Sequence, residues 1–121
     1  MRFRGQPNIV KVGTAVIPTS GATSGEIDLK GGMLAAVVTP SDLKSVASVT
    51  FTTSDDTGGT FTILNDSTTT PVTVTMVAST THGLKPFEQT QGCRQIIKVV
   101  GNAAATGTSL SLDIYARDVS N

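Results

Sequence analysis

The chain of 121 residues holds one cysteine, one histidine, one tyrosine and no tryptophan, and its charges cancel. Each scarcity removes a class of function. Cys93 has no second cysteine to bond with, so no intrachain disulfide forms, and it reads as a small core hydrophobe. His82 is also alone, which rules out a zinc site of ordinary composition. Nine Lys plus Arg against nine Asp plus Glu supply no basic surface to displace counterions from phosphate, so no nucleic-acid partner is expected. Aromatic residues make up only 4%, too few for a stacking platform under sugars or single strands. Only Glu26 and Glu88 are glutamates, neither beside a tyrosine, and no Gly-x-Ser-x-Gly elbow or phosphate-cradling glycine motif occurs. The sequence therefore points to no catalytic residue, no cofactor site and no metal site. No stretch approaches the ~20 apolar residues that span a bilayer, so no membrane partner is expected. Residues 1–4 carry charge but lead into no long apolar run, so the expectation is no secretory signal and assembly in a reducing cytoplasm.

What is abundant is threonine. Twenty Thr, eleven Ser and twelve Gly fill the chain, while 38% of residues are hydrophobic. Thr is β-branched and fits a pleated surface, whereas Gly and Ser serve turns. This length supports one core, with about two-thirds of the unfolded surface buried. Alternation by two recurs along the chain and helical periodicity is nearly absent. Residues 9–17 read as a first strand interrupted by Gly13, and residues 26–29 place Ile27 and Leu29 on one face. Residues 33–38 are a continuous apolar run, the mark of a strand covered on both sides. Residues 41–45 offer the one plausible helical turn. Val49 and Phe51 alternate with Thr50 and Thr52, and Phe61 and Ile63 are expected to return on the same inward phase. After Pro71, Val72, Val74 and Met76 face one way. Residues 79–92 read as irregular, residues 95–100 as a strand, and Leu110, Leu112 and Ile114 as the inward set of a last strand. About eight strands at roughly ten-residue spacing predict an all-β fold, a single antiparallel β-sandwich, jelly-roll-like. The domain spans residues 9–121, preceded by an arm of residues 1–8.

Four features of the sequence are candidate sites. Asp55-Asp56-Thr57-Gly58-Gly59 has hard-cation ligands but lacks the spaced acids of a calcium loop, and a hairpin turn explains it. Asn65-Asp66-Ser67 matches a glycosylation triplet but, without a signal segment, is read as a turn. Tyr115 is out of phase with Leu112 and Ile114, which turns it outward, either as an interface anchor or as a half-buried strand residue. Residues 1–8 read either as a frayed terminus or as an arm that orders on a partner, with Arg2 and Arg4 pairing to acidic groups and Phe3 filling a pocket.

A set of ordered motifs resembles small structural proteins of tailed bacteriophages. It comprises Ile27-Asp28-Leu29-Lys30-Gly31-Gly32, the apolar run ending at Pro40, Thr50-Phe51 with the turn from Ser54 to Phe61, and Gly92-Cys93-Arg94-Gln95-Ile96-Ile97-Lys98. The match covers residues 13–116. Val99-Val100-Gly101 departs from the Arg-Ser-Gly triplet common in that family. The resemblance implies a non-enzymatic virion component, foremost a capsid decoration (cement) protein on the outer capsid surface. Its partner would be the major capsid protein or another virion protein, with homo-oligomers expected. A tail or neck component and a carbohydrate- or cell-surface-binding module are the alternatives.

Overall fold

The computed structural model describes residues 9–86 and 88–117. Among them the chain is all β, with no helix. In chain order the strands are β1 (Ile9–Ile17), β2 (Ile27–Asp28), β3 (Met33–Val38), β4 (Ser48–Ser54), β5 (Thr62–Ile63), β6 (Val74–Thr75), β7 (Thr81–Gly83), β8 (Ile96–Gly101) and β9 (Leu110–Arg117). They form two sheets. One runs β1-β9-β3-β7; the other runs β2-β8-β4-β5, with β6 also on β4. Every pairing is antiparallel.

The period-two pattern decides which side chains meet. Leu110, Leu112, Ile114 and Ala116 of β9 are all buried, while Ser111 between them is exposed. They join Ala15 and Ile17 of β1 and Val37 of β3 in one apolar core. The other sheet contributes Val49, Phe51, Ile97 and Val99 to the same core. Phe51 is the largest fully buried side chain, so its transfer from water supplies roughly 1.5–3 kcal/mol. The apolar run of β3 behaves as its composition requires. It lies between β9 and β7, and Leu34, Ala35, Ala36 and Val37 are all buried.

The turn between β2 and β3 shows why two glycines stand together. Gly31 has φ +79°, the left-handed region that costs glycine nothing. A Cβ on Gly32 would lie 2.8 Å from the Arg117 carbonyl oxygen, so only glycine lets this turn close on the end of β9.

Four expectations need correction. Phe61 and Ile63 do not share the inward phase. The 55–61 connection sets Ile63 opposite Thr52, on the outer face, where it is 60% exposed, and Leu64 takes the core position. Residues 41–45 form no helical turn, because Lys44 and Ser45 both have positive φ and the Lys44 N–H donates to Asp42 Oδ1. Residues 79–92 are not wholly irregular, since β7 pairs with β3 there. The strands number nine among the described residues, several only two residues long. Val72, Val74 and Met76 are buried as expected, although only Val74–Thr75 pairs regularly.

Phe51→Ala is expected to destabilise by about 3–5 kcal/mol, and Ile63→Ala by no more than about 0.5 kcal/mol. Denaturant melts check this, and equal costs would contradict the assigned phases.

Candidate partner-binding surface

Tyr115 lies on β9, opposite Lys11 of β1 and Ala36 of β3. It alternates with the buried Ile114 and Ala116 and is itself half-buried, on the sheet's outer face. Small neighbours surround it on one side, because Ala36 is paired in turn with Gly83 of β7. On the other side, Lys11 Nζ lies 3.1 Å from Asp113 Oδ1, and Thr14 Oγ1 donates to the same oxygen at 3.3 Å. Ile9 and Met33 both pair with Arg117 at the end of the face, and Val16 pairs with Ser111 further along it. Ile9 and Val16 are exposed, so the face mixes apolar side chains with one ion pair and hydroxyls. That combination resembles the core and rim of an interface. Nη1 of Arg117 is buried and has no hydrogen-bond partner among the described residues.

The other candidate residues fall elsewhere. Arg2, Phe3 and Arg4, with the rest of the proposed arm, lie outside the described residues. The Asp55–Gly59 segment is closed by its own bonds. Gly59 N–H donates to the Asp56 carbonyl, Glu26 Oε2 accepts the Gly58 N–H at 2.9 Å, and Arg94 Nη1 lies 3.3 Å from Asp55 Oδ2. Among the described residues no group of three or more His, Cys, Asp or Glu is placed to hold a metal ion. His82 sits on β7, where its Nε2 accepts the Val77 N–H at 3.2 Å, a bond that holds local backbone. Residues 65–70 are a turn built on Asp66, whose Oδ1 accepts the Thr68 hydroxyl, the Thr68 N–H and the Thr70 N–H. Those donors, the Thr68 hydroxyl foremost, hold its carboxyl below the ordinary value. A depression of about 260 Å³ lies beside this turn, against Glu88 and Gln91, without an aromatic in its lining. Cys93 packs against the core, and burial pushes its thiol above the ordinary value.

Sequence reasoning missed two features of the surface. The first is the ammonium of Lys98, 4.4 Å from the centroid of the Phe61 ring on the outer side of the second sheet. No sequence spacing announces it, because it depends on the registers of both β5 and β8 against β4. The second is the exposure of β1, for which the apolar residues 9, 10 and 16 around Gly13 were the available signal. Compared with known proteins, the chain matches no family model, no curated protein and no solved structure.

The Asp66 bonds give a pH dependence of known sign. A carboxyl depressed on folding contributes stability that is present above its unfolded value and is lost as pH falls through its folded value. Asp66→Ala is thus expected to lower the melting temperature at pH 7, with the deficit shrinking in acid. A deficit that stays constant down to pH 2 would contradict the role given to this carboxylate. Cys93 is expected to react with iodoacetamide at least roughly tenfold more slowly in the folded chain than in denaturant, since the thiolate is the nucleophile. Equal rates would show the thiol accessible.

Proposed function

We propose that this chain is a non-enzymatic structural protein of a tailed-phage virion, a capsid decoration protein that binds the capsid lattice and stabilises the head. The ordered motifs from Ile27 to Lys98 support the reading, together with a fold suited to it. In the pairings β1·β9, β2·β8, β3·β7 and β4·β6, each pair of strand numbers adds to ten. That is the connectivity of one long antiparallel hairpin rolled into two facing sheets, so the proposed architecture is a jelly-roll β-sandwich. β5 is an additional short strand on the β4 edge.

The observation that carries the functional proposal is the outer face around Tyr115. It offers a semi-rigid aromatic on the central pair of strands, small neighbours at Ala36 and Gly83, and only one ion pair to desolvate. A part that ties neighbouring capsid subunits together needs such a face and no chemistry, because binding the assembled state alone stabilises it by linkage. Zero net charge lets many copies crowd one surface without mutual repulsion.

Mass spectrometry of purified virions from the phage that carries this gene is expected to find the chain in many copies. On particles decorated in vitro, Tyr115→Ala is expected to cut occupancy by roughly tenfold, as loss of a central aromatic anchor does. Deleting residues 1–7 should reduce occupancy while leaving the melting temperature nearly unchanged. Absence from particles, with binding to host-surface glycans instead, would overturn the virion reading in favour of a cell-surface module.

A further inference from the structure

The four sheet edges are not alike. β2 and β5 are two residues long and β7 three, so shortness blunts them, whereas β1 runs nine residues along the edge of its sheet. β1 pairs with β9 on one side, and no backbone hydrogen bond to its other side is made among the described residues. Five large apolar side chains are prominently exposed among those residues, and Ile9, Val10 and Val16 of β1 are three of them. A long edge with apolar side chains is a template for another strand.

The bulge in β1 says which strand. The register with β9 skips between Lys11 and Gly13, which makes Val12 the extra residue. Ile9 and Lys11 before the bulge, and Thr14 and Val16 after it, therefore all lie on the outer face, while Ala15 and Ile17 point into the core. An uninterrupted strand meeting its own copy matches faces only between residues of equal parity. This strand matches faces across its bulge only between residues of opposite parity. The two-fold antiparallel register that pairs the most residues with matched faces sets Ile9 opposite Val16 of a second copy, Val10 opposite Ala15, and Lys11 opposite Thr14. The two bulges then meet each other, so neither interrupts the ladder. Each of the three exposed apolar side chains is brought against an apolar partner. No like charges face each other, because Lys11 meets a threonine and already pairs with Asp113 of its own chain.

We propose that β1 is a homodimer interface at which two copies join edge to edge in this two-fold register, continuing the four-stranded sheets into one of eight strands. Lys11 and the bulge, devices that elsewhere blunt an edge, here exclude strands of other registers and admit a second copy of this chain. The inference does not rest on the virion reading. It is tested on the chain in solution, and either can fail without the other.

Sedimentation equilibrium of the full chain is expected to show a concentration-dependent species of twice the 12.4 kDa monomer. Val16→Lys and Ile9→Lys should each raise the dimer dissociation constant by about tenfold or more, a loss of about 1.4 kcal/mol. Thr14→Lys should also weaken the dimer, since it faces Lys11 of the second copy. It should leave the monomer's melting temperature intact or raised, because the new amine lies beside Asp113 of its own chain. Thr81→Lys, on the opposite edge of the sheet, should leave the dimer unchanged. Should Val16→Lys not fold, Ile9→Lys at the strand's end and Thr14→Lys on its exposed face carry the comparison. A full chain that stays monomeric at the highest attainable concentration overturns the proposal. So do β1 variants that dimerise as tightly as the unaltered chain, or a Thr81→Lys variant that weakens the dimer as much as they do.

Discussion

The first sheet depends on β9. It is the one strand there that bonds along most of its length on both sides, to β1 from Ile9 to Ile17 and to β3 from Met33 to Val38. Its inward side chains, Leu110, Leu112, Ile114 and Ala116, are all buried in the core shared with Phe51, Ile97 and Val99 of the other sheet. Remove that strand and β1 loses its only ladder among the described residues, β3 keeps just its three pairs with β7, and the inner face of the second sheet opens to water. Backbone pairing and apolar burial are thus concentrated in one segment, so damage to either is felt as damage to both.

The polar parts of the chain are settled locally. Asp42, Asp66 and the Asp55–Gly59 segment each satisfy nearby backbone groups, so the turns do not draw on the core for their shape. Ser24 does the same at longer range. Its backbone and hydroxyl both bond to Val99, which ties the 18–25 connection to β8. The abundance of Ser, Thr and Asp is therefore spent largely on backbone groups that β-strands this short leave unpaired.

How much of this was legible depended on whether a local pattern sufficed. The inward set of β9 follows from alternation alone, as does the burial of Val72, Val74 and Met76, while the burial of Leu34 to Val37 in β3 follows from an unbroken apolar run. The outward phase of Tyr115 follows from the same alternation, but its flanking residues Lys11 and Ala36 do not, because strand partners are chosen by long-range pairing. Phe61 and Ile63 misled because alternation fixes phase within a strand and says nothing about how many residues the connection before it consumes. β7 escaped notice because Thr81-His82-Gly83 carries no alternating apolar residue; its partner strand makes it a strand. The pairing of strand numbers adding to ten is a property of the whole chain that no window of sequence contains.

The distance in sequence between β1 and β9 has a consequence for synthesis. Ile9 lies opposite Arg117, so during synthesis β1 waits for β9, far behind it in the chain, before it gains its hydrogen-bonded neighbour among the described strands. Until then the nascent chain carries Ile9, Val10 and Val16 on a strand with two open edges, and closing so large a loop is slow. Nascent chains crowded on one message would hold many such strands together at the moment each is most able to join a wrong one. Lys11, charged and near the middle of the exposed stretch, disfavours only the registers that set one Lys11 against another, and leaves the one that matches it to Thr14 unopposed.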